Sequence, residues 1–293
     1  MTKSAPTPKP KRRRLQFSLA SLLLLVTAVA CWLGPIVNRV QHQQRVVAAV
    51  EKLGGRVTFA HDTDEPHAQP NGPRWLRRLI GDEYFRTVRF IDLQGTAATD
   101  DLVEQIFWLN DLEQLSLLKT KITDESLRHV ARLKKLKALN VSFNPITNEA
   151  LKHLAPLAEL VFLDLDVTKV TDEGLPALKA LPRLYHLKLY ANPITNSGAA
   201  TLAEMQQLGN LDLGNTLISN DGLAHLAKLP NLTWLRLDQM VTGQGQELRI
   251  TDEGLAHLAG MMKLHDLGLI SLAVTAEGIA ALQKERPALN IHR

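Results

Sequence analysis

The sequence predicts an α/β solenoid whose parallel β-sheet lines a concave face, preceded by a single transmembrane helix. Two observations lead to this fold class. A similar segment returns along the chain with a constant 24-residue period, and residues 15–37 form a run of 23 positions without a charged side chain. With 45% hydrophobic and 22% charged residues, the chain has enough apolar side chains for a core and too few charges for general disorder.

The charge is concentrated at the N-terminus. Residues 1–14 contain six basic side chains and no acid, so the overall net charge of +4 leaves −2 for the rest of the chain. A nucleic-acid-binding domain carries its basic surface on the folded part, which is not basic here, so we expect no nucleic-acid partner. Cys31 is the single cysteine, which excludes an intramolecular disulfide and a cysteine zinc cluster.

Residues 15–37 are long enough for a transmembrane helix, since 23 helical residues cover roughly 35 Å and the hydrocarbon core is about 30 Å thick. The basic residues before the run predict a cytoplasmic tail over residues 1–14, with the rest periplasmic or at the cell surface. Two alternatives are a signal peptide cleaved after Ala30 and a lipid attached to Cys31. All three interpretations place the remainder outside the cytoplasm.

Residues 38–87 are expected to form a juxtamembrane and capping region. The pattern predicts a helix over 38–53 that ends at Gly54-Gly55, a short strand over 56–59 and a loop over 61–73. Apolar side chains then recur at helical spacing at Trp75, Leu76, Leu79 and Ile80. We expect that helix to cover the first hydrophobic layer of the solenoid, although membrane contact is an alternative.

The repeat is the most specific feature of the sequence. Its units begin with an aliphatic residue followed in most units by Thr and an acid or Asn, as in Ile122-Thr123-Asp124. The aligned units start at Ala98, Ile122, Ile146, Val170, Ile194, Ile218, Ile250 and Val274. The period is the same at every step but the one from Ile218 to Ile250, which is longer because it contains an insertion near residues 241–248.

Each unit ends in a ladder such as Leu112, Leu115, Leu117 and Thr120. The ladder resembles the leucine-rich repeat, L-x-x-L-x-L-x-x-N/T, over residues 88–293. The whole chain resembles short bacterial membrane-anchored leucine-rich-repeat proteins. The resemblance implies a right-handed, horseshoe-shaped solenoid and a role in binding other molecules.

The physical reasons agree with this resemblance. The second and third leucines of a ladder, such as Leu115 and Leu117, alternate with polar residues. This alternation is typical of a short strand with one buried face. Identical strands that recur at this period stack in parallel and need a helical crossover. The Thr of each unit is expected to cap that helix, and the small fifth residue to allow close approach to neighbouring backbone. The Thr or Asn after each strand is expected to satisfy backbone groups of the turn.

The concave face is the candidate binding site, because a fixed scaffold with varied outward side chains is how solenoids present a ligand surface. Large aromatic and charged residues, the usual anchors of an interface, concentrate in its middle. The candidate ligand-binding residues are Phe162, His186, Tyr190, Trp234, Arg236 and Asp238. The partner is expected to be a protein, with a glycan as an alternative.

Catalysis is not expected, because the sequence has no nucleophile elbow, zincin helix or phosphate loop. His129, His153, His225 and His257 share one helix position without a ligand partner at metal spacing, and Asp164, Asp166 and Asp212 are more typical of solvated strand carboxylates than of a calcium site. We therefore expect no metal and no cofactor. The predicted function is a non-catalytic, membrane-anchored binding module outside the cytoplasm, and the alternative is a structural envelope component without a selective ligand.

Overall fold

A computed structural model describes residues 19–60, 74–238, 250–270 and 273–293. Its central feature is a sheet of ten strands that follow one another in sequence order. β1 (Arg56–Phe59) pairs with β2 (Val88–Asp92) in antiparallel fashion, and all later neighbours are parallel.

The repeat strands are three residues long and are aligned without slippage. Leu115 of one strand pairs with Leu139 of the next, and Leu139 pairs with Leu163 of the strand after that. The same register continues along the sheet. The strands are β3 (Gln114–Ser116), β4 (Ala138–Asn140), β5 (Phe162–Asp164), β6 (His186–Lys188), β7 (Asn210–Asp212), β8 (Trp234–Arg236), β9 (Asp266–Gly268) and β10 (Asn290–His292). The parallel sheet predicted from the repeat is therefore present.

Short helices return the chain from one strand to the next. They are α3 (Asp100–Ile106), α4 (Asp124–Val130), α5 (Asn148–Leu151), α6 (Asn196–Leu202), α7 (Asn220–Leu226), α8 (Asp252–Ala256) and α9 (Ala276–Glu285). Before them lie α1 (Leu19–Lys52) and α2 (Arg74–Ile80), and 3₁₀ turns occupy Asp82–Phe85, Leu175–Ala180 and His257–Gly260.

The core is a continuous stack of aliphatic layers between sheet and helices. Ladder residues such as Leu112, Leu139 and Leu163 are fully buried. Val46 and Val50, from the C-terminal part of α1, belong to the same cluster and close its first layer together with Val88 and Ile91. Burial of each such side chain contributes about 1.5–3 kcal/mol, so the stack is the main source of stability.

Asparagines of alternate repeats satisfy the turns of two repeats at once. Asn144 is buried and donates from Nδ2 to Leu117 O at 2.7 Å and to Val141 O at 3.0 Å. Its Oδ1 accepts from the Thr120 backbone N at 3.0 Å. Asn192 repeats this pattern with Leu165 O, Leu189 O and the Thr168 hydroxyl. The prediction that these residues satisfy turn backbone groups is confirmed.

A second polar ladder joins the helix N-termini. The acid or Asn that follows each capping residue accepts from the backbone N of the next repeat's cap, as when Asp124 Oδ1 receives Thr147 N at 2.8 Å. Asn148 binds Thr171 N at 2.9 Å in the same way. This side chain explains the small fifth residue, because a Cβ on Gly174 would lie 2.5 Å from Asn148 Oδ1. The predicted close approach is real, but a side chain, not backbone, is what lies near the helix.

Strands β2 to β7 are each followed by a residue in the left-handed region of backbone space. Gly95 serves the first repeat with φ +70°, whereas Phe143 and Val167 adopt φ 56° and 52° in later repeats. Such angles are costly for bulky or β-branched side chains. The backbone N of these residues donates to the next repeat, as from Val167 to Tyr190 O at 2.8 Å, which holds the conformation in place.

The predicted transmembrane helix is wrong. In residues 19–60, 74–238, 250–270 and 273–293, no helix combines the length and apolar character needed to span a bilayer. The apolar positions from Leu19 onward begin a 34-residue helix that contains Pro35 and continues through Arg39, Arg45 and Lys52. The uncharged run from Leu19 is therefore the first part of a longer helix that also carries charged residues. The single-pass topology with an extracytoplasmic repeat domain is corrected with it.

Several predicted features lie outside the described residues. They are the basic tail of residues 1–14, the start of the apolar run, the loop over 61–73 and the insertion near 241–248. The side chains of Leu76, Leu79 and Ile80, predicted to cap the solenoid, are also outside them.

Candidate binding face

The candidate face consists of the outward side chains of β5 to β8 and of the residues that follow these strands. We call it the sheet face. Phe162, His186 and Trp234 begin β5, β6 and β8 and are half-buried. The rings of Phe162 and His186 are neighbours, with centroids 6.1 Å apart. The parallel register therefore brings two of the predicted aromatic anchors into contact, while Trp234 lies beyond Asn210 of the intervening strand.

Charges alternate along the third residues of these four strands. Lys188 Nζ lies 3.5 Å from Asp164 Oδ2, and Arg236 Nη1 lies 3.4 Å from Asp212 Oδ2. Arg236 Nε also donates to Asp238 at 2.5 Å. Arg236 and Asp238, predicted as separate ligand-binding residues, thus form an ion pair with each other.

Tyr190 lies across the backbone of the next repeat. A Cβ on Gly214 would come within 2.8 Å of the Tyr190 ring, and the Arg236 guanidinium lies 5.3 Å from the ring centroid. Gly214 therefore provides the space that Tyr190 occupies, and the cation covers part of the ring. Tyr190 and Arg236 form one preassembled unit with Asp238.

Most carboxylates of the face also support the backbone. Asp164 Oδ1 accepts from Asp166 N at 3.1 Å, and Asp212 Oδ1 accepts from Gly214 N at 2.9 Å. Asp238 is buried and accepts from Ile270 N at 2.9 Å. Asp238 therefore supports the backbone and orients Arg236, and its predicted role in ligand binding stays a prediction.

Asp166 is the carboxylate whose importance the sequence did not reveal. Burial, reinforced by the nearby charge of Asp164, raises the pKa of Asp166 to about 7. Burial also raises the pKa of Asp212, while burial and the charge of Lys188 lower the pKa of His186. Near neutral pH, His186 is therefore uncharged and Asp166 is divided between its two forms.

Comparison with known proteins agrees with the repeat geometry. A family model described as Leucine Rich repeat matches residues 132–155, which is one full repeat through β4 and into α5. Residues 132–155 therefore match a leucine-rich repeat. Its structure is similar to that of an internalin from Listeria monocytogenes, with a TM-score of 0.45, 20% identity, and coverage of 68% of this chain and 58% of the internalin chain. The repeat protein thus spans less than two-thirds of that chain, and no curated protein matches its sequence.

The described part of the chain contains no group of three or more His, Cys, Asp or Glu side chains placed to hold a metal ion. His129, one of the four helix histidines, lies 3.7 Å from Glu125 and near the Phe107 ring instead. The Asp164, Asp166 and Asp212 carboxylates are engaged with cations or backbone amides.

A second aromatic cluster lies away from the sheet, after α3. Phe107 and Trp108 stack with centroids 4.9 Å apart, and the Arg132 guanidinium lies 4.4 Å from the Phe107 centroid. Trp108 is 57% exposed. The positions equivalent to Trp108 in the next two repeats hold Arg132 and Pro156. An aromatic residue at this surface position was the signal that sequence reasoning missed.

Proposed function

We propose that this protein is a non-catalytic binding module that recognises a protein partner through the sheet face. The observation that carries the proposal is the contiguous set of half-buried aromatic and charged side chains held at fixed spacing by the parallel strands. Anchors of this kind dominate protein interfaces because they bring large contact area at small entropic cost. The preassembled Tyr190–Arg236–Asp238 unit lowers that cost further.

The shape of the face favours a macromolecule over a small metabolite. One surface cleft, of about 550 Å³, is lined by Arg74, Arg77, Arg78 and Asp82, away from the sheet face. Small-molecule sites are concave and largely enclosed. A row of side chains spread over four strands is better suited to an extended or convex protein surface.

The test is affinity purification with the full chain as bait and quantitative mass spectrometry of the proteins retained. We expect Trp234→Ala to lower the affinity for a sheet-face partner roughly 30-fold, as for an interface hot spot. Trp108→Ala is the matched control, because it removes an exposed aromatic side chain outside the sheet. A partner retained by wild type and Trp108→Ala but lost by Trp234→Ala supports the proposal. Identical partners for all three baits contradict it and favour a structural role without a selective ligand.

A further inference from the structure

Asp166 differs from the other carboxylates of the sheet face in having no cation partner. Asp164, Asp212 and Asp238 each have a Lys or Arg nitrogen within 3.5 Å. Among the described residues Asp166 forms no ion pair, and its hydrogen bond is the one its Oδ1 accepts from Tyr190 N at 2.8 Å. One carboxylate oxygen therefore has bonding capacity left, on a side chain that is already partly shielded from water.

Hydrogen bonds join Asp166 to the backbone of an aromatic residue in each neighbouring repeat. Tyr190 follows on the next repeat through the hydrogen bond to its backbone N. On the preceding repeat, Phe143 N donates to Asp166 O at 2.9 Å, and the Phe143 side chain is 52% exposed. An exposed ring on the repeat next to a carboxylate suits a basic side chain, because its apolar stem can cover apolar surface while the charged head reaches the acid.

We infer that the protein partner presents a lysine or arginine side chain to Asp166. The inference rests on the proposed function and names the chemistry of the partner at one position. Its reason is charge complementarity. A partner that covers the face removes the remaining water from Asp166, and an ionised carboxylate without a counter-charge is costly to bury. A basic side chain compensates that charge and converts the one unpaired acid of the row into an ion pair like its neighbours.

The inference fixes the sign of the pH dependence. The groups that act on Asp166 are Asp164 in its own repeat, Lys188 on β6 and Asp212 on β7. The outward residues of β4, which packs on the other side, are uncharged. A cation binds the ionised form, so affinity rises as pH increases through 7. With a pKa of about 7 in the free protein, the affinity at pH 6 is about tenfold below that at pH 8. A neutral partner that accepts a hydrogen bond from protonated Asp166 gives the opposite sign.

The experiment is selection of random 12-residue peptides displayed on phage against the immobilised full chain at pH 8. Peptides that also bind Trp234→Ala are discarded, which leaves those that use the sheet face. We expect these to be enriched in Lys and Arg over the starting library. Fluorescence anisotropy then measures a selected peptide at pH 6 and pH 8 on wild type, on Asp166→Asn and on the matched control Asp101→Asn, which alters an exposed acid of α3.

The expected result is affinity about tenfold weaker at pH 6 for wild type and Asp101→Asn, and weak, pH-independent binding for Asp166→Asn. Asparagine retains an oxygen for the Tyr190 amide, and circular dichroism checks the fold of each variant. Trp234-dependent peptides without an excess of basic residues overturn the inference but leave the proposed function standing. A pH response that persists in Asp166→Asn also overturns it, because the response then comes from another group, such as His186. Absence of any Trp234-dependent peptide counts against both proposals.

Discussion

Replacing Asn144 with alanine tests whether the polar ladder stabilises the solenoid as much as its geometry indicates. The substitution removes the hydrogen bond to the Thr120 amide at 3.0 Å and those to Leu117 O and Val141 O at 2.7 and 3.0 Å. Asn144 is 3% exposed, so water reaches these groups poorly. An unsatisfied buried backbone group costs about 1–3 kcal/mol, and Leu117 O retains the Thr120 hydroxyl as a partner. We expect a loss of about 3 kcal/mol in the free energy of unfolding.

Urea denaturation followed by far-UV circular dichroism measures this loss as a lower midpoint at unchanged slope. Asn144→Thr is the matched variant, because flanking repeats hold Thr at this position, and it should lose about half as much. Asn110→Ala, at an exposed position, should change stability by less than about 0.5 kcal/mol. Hydrogen exchange at the Thr120 amide should accelerate in Asn144→Ala. A loss below about 1 kcal/mol with unchanged exchange at Thr120 refutes the reasoning.

Three further predictions concern single groups. Val167→Gly should raise the thermal midpoint, since a β-branched residue at φ 52° costs about 1–2 kcal/mol and glycine recovers part of it; an unchanged or lower midpoint would show that the site is not strained. Arg286 is buried and donates to the carbonyls of Met261, Met262 and Leu264, so Arg286→Met should cost about 2–3 kcal/mol and speed hydrogen exchange in that turn, and unaltered exchange would contradict its role as a cap. The pKa of Asp166 is raised to about 7 in the folded state, so the stabilisation that its protonated form contributes is present below about pH 4 and is lost as pH rises through 7. Chemical denaturation between about pH 4 and 8 should show this decline in the free energy of unfolding, and the decline should be smaller in Asp166→Asn. An equal decline in that variant would assign it to another group.

The repeat was predictable because its period and its buried leucines are local properties of the sequence. A constant spacing of this length dictates parallel strands, and Leu115, Leu139 and Leu163 pair as that spacing requires. The first layer was less predictable. The residues that close it come from α1, whose Val46 and Val50 reach the core, and one helix followed by a loop cannot be assigned a packing partner from spacing alone. The membrane prediction is contradicted because no helix of the described residues has the length and apolar character that a bilayer requires.

The site was predictable as a face but not as a set of partners. Alternation along each strand identified Phe162, His186 and Trp234 as outward residues, as the register confirms. Whether two outward charges meet depends on side-chain conformation across repeats, which is why the Arg236–Asp238 pair was not foreseen. The raised pKa of Asp166 has the same origin, since burial and the charge of Asp164 arise only in the folded sheet.

The alternation of Thr120, Asn144, Thr168, Asn192 and Thr216 along the stack has a consequence for changes in length. Each asparagine serves its own turn and the turn before it. Excision or duplication of a pair of repeats keeps this order. Loss of one asparagine repeat gives a threonine–threonine step of the kind already present at Thr96 and Thr120, whereas loss of the Thr168 repeat places Asn144 next to Asn192. Engineered shortening of this protein should therefore be least tolerated where it brings two asparagines together.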